Sequence, residues 1–460
     1  MGDQSLHDLL QQAGSAVELL RNSQSGPNVY PVVPAEFTNW RDEQRAWAET
    51  CVLFNQSYHM TDMYVEGPDA PKLLSYLGIN SFKNFTPNKA KQFVPCSHDG
   101  YVIGDVVLFH LEQNRFNLVG RPSVHNWVQY HAETGNYDVK LDRDERTVDR
   151  QGATAARKVY RFQVQGPNAP KVMEKVTGEP VPEIRFFNMG SFTIAGREVR
   201  ALRHGMVGQP GWELFGPWED GEAVRTALVE AGREFGLHQV GARGYSSNTL
   251  ESGWIPSPLP AIYTGAEMEP YRKWLTANSY EARASLGGSF HSPNIEDYYL
   301  TPWDLGYGSI VKFDHDFIGR EALEKKAKQP HRQKVTLAWD HDDVKRAIGS
   351  IFGKGGRRAK HIEFPSAVYS TLPYDKVTSG GKTVGISTWT GYSSNERSML
   401  SLAMLEPEHA QFGNEVTVVW GEENGGTSKP TVEPHEQVEI RAIVSPVPYS
   451  DVARTAYRQT

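Results

Sequence analysis

Gly241-Ala-Arg-Gly-Tyr-Ser-Ser-Asn-Thr-Leu-Glu-Ser-Gly-Trp-Ile-Pro-Ser-Pro-Leu-Pro260 is the stretch on which the reading of this chain turns. It sets Arg243, Tyr245, Glu251 and Trp254 among three glycines and three prolines. Glycine permits unusual dihedrals and close backbone approach, and proline fixes φ, so this composition predicts a shaped loop and not regular helix or strand. Loops held on a rigid scaffold carry binding and chemical groups, and Tyr245 and Trp254 are the side chains this one has to present. Ordinary packing offers another account, in which Trp254 anchors a core and Tyr245 buries its hydroxyl against a backbone partner.

Working upstream, a helix over 220–236 follows strands through 190–207, the turn Gly208-Gln-Pro-Gly211 and the strand Trp212-Glu213-Leu214-Phe215. Before these, the strand-like Tyr160-Arg-Phe-Gln-Val-Gln165 enters Gly166-Pro-Asn-Ala-Pro170. The same sequence of events occurs earlier, where Met63-Tyr-Val65 leads into Glu66-Gly-Pro-Asp-Ala-Pro71, an offset of 99 residues from Gly67 to Gly166. The echo predicts two related halves in one pseudo-symmetric unit. Asp69 is placed to cap a helix over 70–80. Gly100–Leu111 and Arg115–Gly120 form a β-hairpin around Glu112-Gln-Asn114, and residues 123–134 read as helix.

Arg121 closes that hairpin between Gly120 and Pro122, where it either forks onto a carboxylate or lies on the surface. Helical spacing over Phe37 to Phe54 precedes the polar cluster Asn55-Gln-Ser-Tyr-His-Met60 at a helix-to-strand junction. There Gln56 and His59 act as structural hydrogen-bonders or line a cleft together. The first 25 residues form an amphipathic lead-in helix, broken by Ser25-Gly-Pro27, and Tyr30 follows in an extended, proline-flanked segment.

Downstream, Phe317-Ile-Gly-Arg-Glu-Ala-Leu323 opens a helix, and a basic, polar linker runs from Lys325 to Arg332. Spaced strands at 335–339, 384–387, 399–404 and 416–420 predict a small β-barrel or sandwich. The chain is therefore read as α+β in two domains, residues 1–328 and 329–460. His341-Asp-Asp343, beside the linker, reads as a solvated turn and not as a metal site.

Composition narrows the function classes. A chain of 460 residues with 39% hydrophobic and 22% charged side chains has ample capacity for a core. No apolar run approaches the roughly 18 residues of a membrane span. The start, Met1-Gly2 through Leu10, shows neither a secretory signal nor a presequence, and its myristoylation pattern is only partial. Two cysteines, Cys51 and Cys96, make neither a disulfide framework nor a zinc motif, which predicts a cytoplasmic protein. With a formal charge of -7 there is no global basic surface for nucleic acid, so an anionic ligand needs a local arginine. Dinucleotide, P-loop, His-Glu-x-x-His, Gly-x-Ser-x-Gly and Cys-x-x-Cys motifs are all absent. Single polar groups near turns remain: Gln56, His59, Asp105, Arg121, Gln163, Glu213 and Tyr245. They suit a positioning site for a ligand with an aromatic body and a carboxylate.

Several segments together resemble the glycine-cleavage T-protein (aminomethyltransferase) superfamily of folate-binding proteins. They are Gly67-Pro-Asp-Ala70, Gly100–Leu108, Gln165-Gly-Pro167, Gly211-Trp-Glu-Leu214, Leu250-Glu-Ser-Gly253, Phe317–Leu323 and Val384-Gly-Ile-Ser-Thr388, in that order. The resemblance implies a T-protein-like fold of two pseudo-symmetric α/β halves plus a carboxy-terminal barrel. Two departures bear on the chemistry. The family's aspartate pair is Gly104-Asp105 here, and Gly241-Ala-Arg-Gly-Tyr introduces Tyr245 where the aminomethyltransferases have Gly-Ala-Arg-Asp-x-Leu.

That tyrosine-bearing loop, with Trp254-Ile-Pro-Ser-Pro258 after it, is similar to the tetrahydrofolate-dependent aryl O-demethylases that act on vanillate and syringate in lignin-aromatic catabolism. By this resemblance Tyr245 is catalytic and Arg121 holds the aromatic carboxylate, while Tyr30, Gln56 and His59 shape the aromatic pocket. Glu213 binds the pterin of tetrahydrofolate, Gln163 and Trp254 line the folate side, and no metal takes part. A phenol at the ether oxygen can donate to a developing phenolate as the folate nitrogen takes the methyl group. Within the superfamily the alternatives are demethylation of a sulfonium or an N-methyl amine, and a non-enzymatic folate-binding protein. The latter's Lys-Gly-Cys-x-x-Gly-Gln-Glu signature is missing.

Overall fold

The Gly-Pro-(Asp/Asn)-Ala-Pro echo is a repeat in three dimensions. In both copies a strand, Thr61–Glu66 or Val159–Gln165, runs into a glycine of positive φ, 142° at Gly67 and 126° at Gly166. An added Cβ would fall 2.3 Å from the Asp138 carbonyl oxygen at Gly67 and 2.7 Å from that of Thr50 at Gly166, so neither turn admits a side chain. Helices Ala70–Leu77 and Ala169–Thr177 follow, each with proline in its first turn, where the missing N–H has no helical partner to lose. Asp69, the expected cap, makes no capping hydrogen bond; its carboxylate accepts from the Asp138 N–H at 2.9 Å and secures the turn from outside.

The computed structural model describes residues 4–27, 30–147, 157–256, 258–352, 354–356 and 358–455; Met1, Gly2 and Ser257 lie outside them. Each repeat contributes an interior strand to a sheet. The first is antiparallel, in the order Lys89–Phe93, Val106–Glu112, Arg115–Gly120, Thr61–Glu66, Lys140–Asp144. The second runs Leu237–Val240, Cys51–Asn55, Val159–Gln165, Gly211–Pro217, Arg197–Arg203, Met189–Ile194, and its first pair alone is parallel. Their edges meet where Ala90 N–H donates to Phe187 O and Met189 N–H to Asn88 O, both at 2.8 Å. Phe109, Val119, Leu202 and Phe215 pack between the two sheets. At roughly 1.5–3 kcal/mol for each fully buried large apolar side chain, that cluster fixes the halves face to face.

Six antiparallel strands, Gln333–Trp339, Ser398–Leu405, Lys382–Ser393, Asp375–Ser379, Glu415–Trp420 and Val438–Ser445, close into a barrel. Leu372, Tyr374, Ile386, Leu402 and Met404 pack into the core shared with the first sheet and the segment after Trp254. Among the described residues no helix is long and apolar enough to cross a membrane.

Four local expectations are corrected. The lead-in is two helices, Leu6–Ala13 and Ala16–Arg21, because Gly14 ends the first in the left-handed conformation and Ser15 caps the second. Helical spacing after Phe37 stops at Glu49; Cys51-Val-Leu-Phe54 is a buried strand, so the Asn55–Met60 cluster joins two strands and not a helix to a strand. His341-Asp-Asp343 opens the helix His341–Gly349 under an Asp340 cap, with buried Asp343 paired to Arg441 and Arg346.

The fourth correction concerns the stretch from Gly241. Ala242–Tyr245 and Asn248–Ser252 are short helical turns, and the extended run begins only after Gly253, at φ 69°. Its first two glycines serve close approach and not helix breaking. An added Cβ at Gly241 would stand 2.4 Å from Ala35 O, and one at Gly244 would stand 3.1 Å from the Glu43 carboxylate. The Gly241 N–H donates to that carboxylate at 2.9 Å.

Candidate active site

The two sheets, the 241–256 segment and the start of the barrel enclose a cavity of about 570 Å³. Tyr30, Gln56, His59, Arg121, Glu213, Tyr245 and Trp254 all line it. The Tyr245 phenol, Glu213 and Trp254 therefore share one void.

Tyr245 ends the first helical turn, with its ring edge-on to Phe54 at 5.4 Å and tilted against Tyr30 at 4.4 Å. Neither backbone nor core claims its hydroxyl. The Gln56 amide donates to it at 3.2 Å, and the His59 Nε2 lies 3.0 Å away. His59 is pushed down to about 3 by burial, with Arg121 and Arg146 opposing its protonation, so the imidazole is neutral. With the His59 proton on Nδ1, the Tyr245 O–H donates to Nε2. Burial, then the neighbouring Tyr30 hydroxyl, raises the Tyr245 pKa well above 10, and the phenol stays a proton donor. Tyr30 is likewise pushed up to about 12 by burial.

Arg121 caps the helix Pro122–Thr134 through its backbone and turns its guanidinium to the cavity, with Nη1 3.4 Å from the Tyr280 hydroxyl. Glu213 enters from the strand Gly211–Pro217. It is 4% exposed and is held by Arg161, which also grips Asp62; Asp62 and Asp144 in turn share Arg157. This ladder alternates three carboxylates with two guanidiniums, a formal excess of one negative charge. Burial works against the Arg161 charge, but Asp62 and Glu213 outweigh it and hold its pKa above the ordinary value.

Trp254 is 39% exposed and is therefore no core anchor. Its indole N–H points to the Asp105 carboxylate at 2.9 Å and the Tyr307 hydroxyl at 3.1 Å, while Tyr307 donates to Asp105 at 2.6 Å and the Gln92 amide adds a third donor. Burial raises the Asp105 pKa, against the pull of those three donors. Gln163 does not line the cavity. It sits opposite Glu213 in the strand register and donates to His204 O at 2.7 Å, which steadies the 204–206 wall from behind.

Arg146, Tyr307 and the Arg161–Asp62–Arg157 ladder escaped the sequence reading. One signal was present: Arg161, Gln163 and Gln165 alternate with Tyr160, Phe162 and Val164 in a strand buried on both faces. Large polar residues on a covered face need partners, and a cavity wall supplies them. Among the described residues no group of three His, Cys, Asp or Glu side chains is set to hold a metal.

Three comparisons meet this geometry. The model of the GCVT N-terminal domain matches residues 6–257. Syringate O-demethylase of Sphingobium sp. (strain NBRC 103272 / SYK-6) is 61% identical, over 98% of this chain and 97% of its own. Sesamin methylene transferase of Sinomonas sp. (strain No.22) is 31% identical over 92% of this chain and 91% of its own. The glycine cleavage system aminomethyltransferase T from Bartonella henselae superposes with a TM-score of 0.60 at 17% identity, covering 97% of each chain. The fold is thus T-protein-like, with mixed helices and sheets and a small carboxy-terminal barrel. The chain belongs to the GCVT family.

Proposed function

We propose that this protein transfers the methyl group of a methoxylated benzoate, of the vanillate, syringate or 3-O-methylgallate class, to tetrahydrofolate. The products are 5-methyltetrahydrofolate and a hydroxylated aromatic acid. The observation that carries the reading is the buried, neutral Tyr245 hydroxyl, which faces the same void as Arg121, Glu213 and Trp254. The likeness to syringate O-demethylase supports it.

The residues suit the folate. The Glu213 carboxylate, with Oε1 on Arg161, can accept from the amide edge and amino group of a pterin, and Trp254 offers an indole face at the wall. Gln163 supports that side through His204. Bound tetrahydrofolate supplies a nucleophilic ring nitrogen as the methyl acceptor. Arg121 holds the substrate carboxylate, and the aromatic ring lies among Tyr30, His59 and Tyr245. Tyr245 donates its hydrogen bond to the ether oxygen, which stabilises the phenolate as the carbon–oxygen bond breaks. Overall a methyl group passes from oxygen to nitrogen and a proton from nitrogen to oxygen, so Tyr245 ends as it began. Gln56 donates to the phenol oxygen and aims it, and the Tyr245 O–H, held by neutral His59 Nε2 beforehand, turns to the ether oxygen once the substrate is in place.

A sulfonium or an N-methyl ammonium would meet Arg121 and Arg146 in this cavity, which disfavours cationic substrates. Residues 1–328 form the binding unit and 329–460 the barrel unit, a division supported by the first barrel strand starting at Gln333. Both cysteines are free and buried, in keeping with the cytoplasm. Incubating the protein with tetrahydrofolate and a panel of methoxybenzoates, and measuring 5-methyltetrahydrofolate, tests the proposal. No methylated folate with any of the acids would overturn it.

A further inference from the structure

Arg146 lies just beyond the strand Lys140–Asp144 and belongs to no motif. It lines the main cavity and also a second recess of about 880 Å³, whose wall includes Pro122, Tyr280 and Arg283. Tyr280 touches both cavity arginines. Its hydroxyl is 3.4 Å from Arg121 Nη1, and its ring centre is 5.4 Å from the Arg146 guanidinium carbon.

The nearby acids are committed elsewhere. Glu145 pairs with Arg143 at 2.7 Å, Asp62 with Arg157 and Arg161, and Asp144 with Arg157. Among the described residues no carboxylate pairs with Arg121 or Arg146. Two guanidiniums thus flank one tyrosine at a junction of two voids, with no carboxylate partner among the described residues. Burial lowers the Arg146 pKa, and Arg121 adds to the effect, so the arrangement costs stability by itself and is relieved by an anion.

We propose that Arg146 is a second substrate-binding residue, which with Arg121 makes a two-guanidinium site for the carboxylate of the aromatic acid. The inference rests on the reading above that the substrate is a methoxylated benzoate. Two planar forks around one carboxylate fix the ring's direction more tightly than a single arginine does, and so the distance from ether oxygen to Tyr245. Arg146 acts by placing the substrate and touches no reacting atom.

The test is calorimetric affinity for a methoxybenzoate and for its primary amide, with wild type, Arg146→Gln and Arg146→Lys, and with tetrahydrofolate affinity as the measure of an intact fold. Arg146→Gln is expected to weaken the acid about ten- to a hundredfold, the range of a charge-assisted hydrogen bond, and to leave the amide and folate little changed. Undiminished acid binding would overturn the inference, as would equal losses for acid and amide. Should the glutamine variant also lose folate, Arg146→Lys decides: it keeps the charge and loses the fork, so acid binding falls and the amide does not. No change in the lysine variant would then overturn the inference. A wild type that binds no aromatic acid would overturn the reading of function itself, and this inference with it.

Discussion

Tyr245→Phe removes one oxygen and almost nothing else. The ring contacts with Tyr30 at 4.4 Å and Phe54 at 5.4 Å survive, so the lost interactions are those of the hydroxyl, with His59 Nε2 at 3.0 Å and Gln56 Nε2 at 3.2 Å. The Gln56 amide keeps a contact to Met206 Sδ at 3.0 Å, so the chief orphan is His59 Nε2. One partly buried acceptor left unpaired costs about 1–3 kcal/mol of stability. The variant should therefore fold and bind tetrahydrofolate as wild type does.

The rate is another matter. Without a donor the departing phenolate forms unassisted, and the loss of one positioned general acid lowers the chemical step by about 10²- to 10⁴-fold. That is about 2.7–5.4 kcal/mol, at 1.36 kcal/mol for each factor of ten. Single-turnover mixing of enzyme and tetrahydrofolate with excess methoxybenzoate, quenched and assayed for 5-methyltetrahydrofolate, reads that step free of product release. A further signature separates acid catalysis from general damage: ring substituents that make the phenolate a better leaving group should narrow the gap between variant and wild type. A variant whose single-turnover rate stays near wild type, or whose deficit is the same for good and poor leaving groups, would refute the assignment.

Glu213→Gln should weaken tetrahydrofolate about ten- to a hundredfold, the worth of a charged hydrogen bond, and lower Tm because Arg161 loses one of its two carboxylates; unchanged folate affinity by calorimetry would rule out its contact with the pterin. Trp254→Phe keeps an aromatic face but takes one donor from Asp105, so folate affinity should fall while Tm barely moves, and a large drop in Tm would make Trp254 a packing residue after all. Since His59 titrates near 3 in the fold, it should add no limb to the single-turnover rate between pH 5 and 8, and a limb near 6.5 that vanishes in His59→Gln would mean a charged imidazole. The same depression makes a stability prediction. The unfolded chain takes up the His59 proton below 6.5 and the folded chain does not, so stability is lost as pH falls, by up to about 2 kcal/mol at pH 5. Glu251, raised to about 7, and Asp375, raised to about 6, act in the opposite sense, so the measurement is the difference in pH dependence between wild type and His59→Gln, in which they cancel.

What could be read from the sequence was local. The hairpin ending at Arg121 declared itself through two apolar runs and a polar turn, and the Gly67 and Gly166 turns through a repeated motif that only glycine fits. Four of the six barrel strands were visible as apolar runs, while Asp375–Ser379 and Val438–Ser445 were not. Misreadings arose where one local pattern serves two structures. Cys51-Val-Leu-Phe54 is too short an apolar run to tell strand from helix, and the helical turns after Gly241 were hidden because its glycines answer to Ala35 and Glu43, over 190 residues away in the latter case. Site groups held by distant partners were out of reach altogether: Arg161 meets Asp62 across 99 residues and Tyr307 meets Asp105 across 202. Gln163 shows the limit of carrying roles by motif, since its strand position adjoins Glu213 while its amide serves the wall from behind.

The long-range contacts also explain how the phenol proposed as the proton donor is held on a segment with so little regular structure. Two four- to five-residue helical turns have no stability of their own. Here they are clamped from both sides. Gln44, on the helix Trp40–Glu49, donates to Ser247 Oγ at 2.7 Å and accepts from Ser394 N–H at 2.7 Å, while Trp389 of the barrel donates to the Ser246 carbonyl at 3.0 Å. Glu251 is the central link: Trp47, on the same helix as Gln44, reaches it at 2.8 Å, and Ser393 reaches it from the barrel at 2.7 Å. A hydrogen-bond donor stabilises a developing phenolate only if it is aimed before the charge appears, because a mobile one must reorganise during the step. The carboxy-terminal barrel, which among the described residues contributes only Lys334 to the cavity wall, therefore bears on the proposed chemistry by fixing the backbone from which Tyr245 projects. Its strand ends at Trp389 and Ser393 belong to the positioning of the phenol as much as Gln56 and His59 do.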